Sequence, residues 1–383
     1  MEKEADFGRT RRIWYIAGVF AGNLLSYYLR GLFYTRKSQI WNGCPFIIFK
    51  RPWMGTLVMT IGISLCTLVY YIKTLLDPKN HPKFSHTPTY IYLFIALIAF
   101  LDIFISIVPS YTISENLGPF SVATRYFDLL FIIIIQNVFM TPIRYAYQWV
   151  SLGIVAFGIV FVAVGFFKNK ETRLKLLPSL LQLASQLFIS IRTVLIQKVS
   201  HENDINPWFL TGFDGIFGFL IVLFGGYPLA YFLPEKSFSS LHENLCSSVL
   251  LTFHSISIII LFLIYISITC IYNASIAGTI TTTNAVGYTI VEMICGSINW
   301  IIDLIIFHAF NGKFILEADK KFGVEWNSFS YFRLLGSLTF LLGGAIYLKI
   351  IKFPCFSYPA PSVTKISMSE SAFEMNYNVA INV

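Results

Sequence analysis

The chain has 383 residues, 56% of them hydrophobic and 13% charged, with a formal net charge of +8 and a mean hydropathy of +0.67. This balance excludes a water-soluble globule, and it assigns the basic excess to short membrane-surface loops rather than to nucleic-acid binding. Six cysteines (Cys44, Cys66, Cys246, Cys270, Cys295, Cys355) form no C-x-x-C pair, which argues against a disulfide scaffold or thiolate metal site and for free, hydrophobe-like thiols.

A charged start, Met1 to Arg12, precedes the first apolar run at 13–33, which has no small-residue cleavage site after it and reads as a retained span. Further runs follow at 53–75, 89–109, 118–141 and 148–167, then at 174–197, 207–233, 249–272, 277–306 and 330–352. A helix of roughly 20 apolar residues crosses a ~30 Å hydrocarbon core. Lipid offers backbone amides no partner, so helices that satisfy their own hydrogen bonds are the natural spanning form. Residues 353–383, rich in Ser and Asn with Pro359 and Pro361, read as a disordered tail.

Ten spans divide into halves at 13–167 and 174–352. A shift of 161 places Ile103-x-Ile105-Ser106-Ile107 on Ile264-x-Ile266-Ser267-Ile268, Tyr111 on Tyr272 and Ser114 on Ser275. Both matches are expected at the end of a third span and in a tight turn after it. An odd number of spans per half inverts one half relative to the other, as in many secondary transporters. Lys and Arg divide almost evenly between the two faces, so the positive-inside rule gives no orientation.

The chemistry is expected in ionisable groups inside the spans, which are costly in hydrocarbon and must face protein or water. Arg125 and Asp128, three apart, share a helix face and can pair. The arrangement fits an anion contact in a central cavity or a closed structural ion pair. Glu292 sits in the ninth span, which corresponds to the Arg125 span under the repeat. It has no cationic neighbour within a turn, so it either finds a partner on another helix or carries a proton. Asp102, Asp214, Asp303 and Arg192 read as nearer the span ends, in structural or interfacial roles. Five carboxylates against two guanidiniums leave a net negative interior, which points to proton coupling or a cationic substrate. Gln182 and Gln186 form one polar stripe, lining a cavity or bonding to a neighbouring helix. Gly153, Gly158, Gly336, Gly343 and Gly344 are expected to let helices approach closely. Asn273-Ala-Ser275, a glycosylation sequon, is expected in a surface turn and unoccupied. Enzyme signatures are absent: there is no Ser-centred elbow, phosphate-cradling Gly-Lys loop or His-Glu pair at zinc spacing.

Several segments resemble solute carrier family 35, within the drug/metabolite transporter superfamily, and its F branch most of all. They are Phe-Leu-Asp102-Ile, Ser121 to Arg125, Leu183-Ala-Ser-Gln186, and Asn206-Pro207 followed by Thr211-Gly-Phe-Asp214-Gly-Ile-Phe-Gly218-Phe219. The resemblance covers most of 13–352. It implies an all-α membrane protein of ten transmembrane helices in an inverted 5+5, EamA-like fold, with cytosolic termini and solute exchange across an endomembrane. It places the fourth and ninth spans along the path and points to Arg125 and Asp214. Two stretches depart from the family pattern, Asn284 to Glu292 where arginines are expected and Ile196-Gln197 where an acidic pair is expected. Both remove charge from the substrate region.

The expected function is alternating-access transport of a small polar metabolite, with Arg125, Asp128, Glu292, Asp214, Asp102 and Gln186 along the substrate or ion pathway and protons exchanged through Glu292. No cofactor or metal is called for. The expected partners are the solute, protons, the lipid bilayer and a second copy of the chain, and not nucleic acid. A non-transporting multispan scaffold presenting loops or tail is the alternative.

Overall fold

The structure, a computed structural model, describes residues 2–41, 44–76, 88–114, 124–140, 142, 144–167, 176–203, 205–234, 241–310, 323–327 and 330–358. The 359–383 stretch of the expected tail and Ser121 to Ala123 lie outside them. Among the described residues there are twelve helices: α1 Glu2–Thr35, α2 Pro52–Leu76, α3 Thr89–Ser114, α4 Asp128–Phe139, α5 Ala146–Phe167, α6 Leu176–Asn203, α7 Pro207–Ile221, α8 Tyr227–Phe232, α9 Leu245–Phe253, α10 Ile256–Thr282, α11 Ala285–Ala309 and α12 Ser330–Tyr347. A 3-10 turn, Arg125–Phe127, leads into α4, and a two-stranded antiparallel ribbon pairs β1 Lys37–Ser38 with β2 Ile47–Ile48. Seven helical segments among the described residues are long and apolar enough to cross a bilayer: Pro52–Leu76, Thr89–Tyr111, Ala146–Val164, Leu180–Asn203, Pro207–Phe232, Ile256–Thr282 and Ala285–Ala309.

The outside of the bundle is apolar and much of its inside is polar. Leu68, Leu93, Phe157, Phe224 and Leu263 are exposed, whereas Thr56, Gln182, Ser185, Ser190, Thr193 and Thr279 are fully buried. Water would reverse that distribution, and hydrocarbon explains it, because lipid chains solvate leucine as well as a protein core does. This is an all-α membrane protein.

Helix ends follow local chemistry. Asn206 caps α7 by accepting from the Trp208 amide at 2.9 Å, with Pro207 in the first turn, where its missing N–H costs nothing. Val222–Gly226 forms one wide π turn between α7 and α8. Pro228 lies just past it and cannot donate to the preceding turn, so the helix absorbs the lost bond by widening.

The tight turn expected near 273–276 does not form. Asn273 donates to its own helix at Thr269 O (2.9 Å) and Ser275 to Ile271 O (2.7 Å), so both polar side chains are satisfied inside an unbroken α10. The chain turns instead at Thr283–Asn284, where Asn284 accepts from the Gly287 amide at 2.7 Å. The sequon is therefore buried helix, not surface turn.

Helices pair closely across the sequence: α1 on α10, α2 on α7, α3 on α6 and α5 on α12. Small residues permit this. A side chain at Gly215 would strike the α2 backbone at Ile63 and Ser64, and one at Gly336 would meet the Gly158 carbonyl. Gly153 is the exception among the expected packing glycines, since it faces open space.

Candidate functional site

Asp128 opens α4 and is 3% exposed. Its hydrogen-bond partner is Gln186 on α6, whose amide nitrogen donates to Oδ1 at 2.8 Å and Oδ2 at 3.1 Å. The Gln186 oxygen accepts from Gln182 Nε2 at 2.7 Å, so the glutamine stripe serves a helix–helix bond. The ion pair expected between Asp128 and Arg125 does not form. Arg125 sits in the 3-10 turn ahead of α4 and acts on Asp128 through its field, while Gln186 takes both carboxylate oxygens.

Arg125 and Glu292 are each only partly buried, although they sit among buried neighbours. Both act electrostatically on Asp128, on Tyr272 of α10 and on Cys295 of α11. Glu292 also hydrogen-bonds Tyr288, one turn earlier on α11. The three charges thus share one locality between α4, α10 and α11, two acidic and one basic.

A polar ladder continues from there towards α1. Asn23 donates to Tyr272 OH at 3.1 Å and accepts from Asn299 Nδ2 at 2.8 Å, while Tyr27 and Tyr28 donate to the Asp303 carboxylate at 3.2 and 3.0 Å. Towards the opposite end of α11, Gln197 Oε1 accepts from Gln136 Nε2 at 2.7 Å and from the Ala285 amide at 2.8 Å. The residue standing where an acid was expected therefore ties α4, α6 and the start of α11 together.

A second charged locality is fully enclosed. Asp102 on α3 forms an ion pair with Arg192 on α6, each 7% exposed. Asp214 on α7, 3% exposed, lies within hydrogen-bonding reach of Asp102 and in the field of Arg192. The expectation of span-end positions for these residues is overturned. All three sit well inside their helices, and what makes their burial tolerable is one another.

The guanidinium count is also corrected. Arg30 on α1 donates to Tyr265 OH at 2.7 Å and touches Met59 Sδ at 3.5 Å. Arg333 on α12 lies over the Trp300 ring at 5.0 Å and acts electrostatically on Asp303's partner Tyr27. With four arginines against the same five carboxylates, the expected negative bias shrinks to a single charge. Arg30 and Arg333 lie near the ends of the runs at 13–33 and 330–352, where their charge counts towards the membrane faces rather than the interior. The tyrosines were missed because hydropathy scores them as apolar, and their hydroxyl partners lie on distant helices.

Among the described residues no group of three His, Cys, Asp or Glu side chains could hold a metal ion. An apolar crevice between α4 and α5, lined by Phe127, Leu130, Ile159 and Val160, offers no polar contact and opens on the greasy exterior.

No family model matches the chain. Over 205 residues it is 24% identical to solute carrier family 35 member F6 of Rattus norvegicus and 22% identical to that of Homo sapiens, covering 52% of this chain and 51% of each relative. This is a solute-carrier-35-like chain. The F branch to which its motifs pointed is the one these relatives carry in their names, and the chain spans about half the length of the curated relatives it matches. A solved structure, described only as a crystal structure of a protein, superposes on it with a TM-score of 0.50 at 10% identity. That superposition covers 86% of this chain and 98% of the other, and it is a likeness of fold alone.

Proposed function

We propose that this solute-carrier-35-like chain is a secondary transporter. In this reading it moves a small polar metabolite across an endomembrane by alternating access between two inverted five-helix halves. The observation that carries it is the gathering of partly open Arg125 and Glu292 beside buried Asp128, of mixed charge, inside a helical bundle with an apolar exterior. Groups so costly in hydrocarbon are kept where a polar solute must be met.

The packing supports the inverted halves. Taking α7–α8 and α9–α10 as single spans makes ten, and moving five spans along turns each major pairing into another. The α1–α10 pair becomes α6–α3, and α2–α10 becomes α7–α3, while α2–α7, α5–α12 and α4–α11 map onto themselves. Arg125 and Glu292 belong to the α4–α11 pair, so the solute would sit on the pseudo-twofold axis, where both halves can contact it in either orientation. Cytosolic termini and the endomembrane are part of the proposal through the resemblance to solute carrier family 35, and a second copy of the chain is part of it as a partner.

The test compares untargeted metabolite profiles of purified organelles with and without the protein, and of cells carrying Arg125→Ala. The carrier reading requires a solute whose compartment level changes on deletion and is not restored by Arg125→Ala inserted at normal abundance. Unchanged profiles, or full rescue by that variant, would overturn it.

A further inference from the structure

We propose that Asp102 and Asp214 form a proton-binding site, holding one proton between their carboxyl groups against Arg192. The inference rests on the transporter reading for its purpose, and on the geometry of three helices for its substance.

The argument starts from a comparison inside the molecule. Arg192 lies on α6 and Arg30 on α1, the first helices of the two halves. Each packs against the third helix of the opposite half and the second of its own: Arg192 on α3 and α7, Arg30 on α10 and α2. For Arg30 the partners are neutral, a phenol and a thioether. A buried arginine at this kind of junction therefore does not require two acids. At the Arg192 junction there are two, and one suffices to neutralise the guanidinium.

The surplus acid has a visible consequence. Asp102 Oδ1 faces Arg192, but Asp102 Oδ2 is buried with no hydrogen-bond donor, while Asp214 lies within reach. Two ionised carboxylates have no proton to share and would repel one another in a sealed, low-dielectric site. A single proton supplies the missing donor, joins the two acids by a hydrogen bond and brings the triad to zero net charge. The other titratable groups facing it are Cys66 on α2 and Tyr288 on α11, with Cys270 on α10 behind Cys66 at 3.5 Å between sulfurs. None supplies a second positive charge.

The site also lies where movement would open it. Asp102 belongs to one half, and Arg192 and Asp214 to the other, so rocking the halves parts α3 from α6 and α7. Water then reaches the pair, the proton passes from the carboxyl oxygen to water, and the remaining carboxylate pairs with Arg192. Tyr288 is hydrogen-bonded to Glu292 and in the field of Arg192, so the triad is linked to the solute locality. Proton exchange is thus assigned to this pair rather than to Glu292.

The experiment is infrared difference spectroscopy of the purified full chain at about pH 7, following the carbonyl stretch of a protonated carboxylic acid. The wild type is expected to show such a band, shifting on transfer to D2O. Asp102→Asn and Asp214→Asn should each lose one carboxyl equivalent, because the remaining acid then pairs as a carboxylate with Arg192. Glu292→Gln should keep the band. Arg192→Gln should gain a second equivalent, because the remaining buried carboxylate loses the charge that keeps it ionised. A wild type without the band, a band undiminished in both Asp variants, or a band inert to D2O would overturn the proposal, and the wild-type measurement stands even if a variant fails to fold. A D2O-sensitive, Asp-dependent band in a protein whose absence changes no metabolite would remove the transporter reading and leave the proton site.

Discussion

Glu243 in the connector before α9 caps the start of α2: its carboxylate accepts from the amides of Trp53 and Met54 at 3.0 Å each, although it lies 190 residues away from the first. Ser248 and Tyr227 hydroxyls donate to the same group at 2.8 and 3.3 Å, and the residue is 1% exposed. Burial outweighs these donors and pushes the Glu243 carboxyl up from 4.5 to about 7. The folded state therefore holds the proton more tightly than the unfolded chain. This group's contribution to stability is complete below about 4.5 and is lost as pH rises through about 7. The loss is on the order of 3 kcal/mol from the separation of the two values. Thermal midpoints of the purified protein should fall over that range and level off above it. Glu243→Ala should flatten the slope and lower the midpoint throughout, since two buried amides then lack an acceptor.

Gln186 holds both oxygens of Asp128, so Gln186→Leu leaves a buried acid without its donor. The expected cost is about 1–3 kcal/mol, read as a lower midpoint. A variant as stable as wild type would show that Asp128 is solvated by another route.

Two glycines offer a contrast in packing. Gly215→Val drives a branched side chain into the α2 backbone at Ile63 and Ser64, with an expected cost of about 3 kcal/mol. Gly153→Ala meets nothing within 4 Å and should change stability by less than about 0.5 kcal/mol. Fluorescence-detected size exclusion of the two variants separates them.

Cys66 Sγ and Cys270 Sγ lie 3.5 Å apart across the α2–α10 seam, both buried. A membrane-permeant oxidant should join them within one chain, joining the two proposed halves, and the proposed solute flux should stop until the bond is reduced. Cross-linking that leaves transport untouched would mean that α2 and α10 move as one body.

The apolar runs located most helices because hydrocarbon demands length and hydropathy, and both are written locally. The runs at 53–75 and 207–233 begin within a residue of the helices that start at Pro52 and Pro207. The α10 boundary failed for a physical reason. Asn and Ser read as turn residues in water, but inside lipid their side chains return to their own helix, and the true break waits for Asn284. Site residues were legible one by one, as stranded charges, and illegible as sets. Asp102 and Arg192 are separated by 90 positions, and no spacing rule joins them; Arg125 and Asp128, which a spacing rule does join, do not pair, because Gln186 on another helix takes the carboxylate.

A molecule whose perimeter is solvated by acyl chains can exchange leucine for isoleucine, valine or phenylalanine there at almost no cost. The glycines and hydroxyls at its seams have no such latitude. Divergence should therefore erode the bulky majority of the alphabet first and leave a sparse skeleton of small and polar letters. That is how an architecture can persist across a 10% likeness while kinship in the text fades to 22–24%.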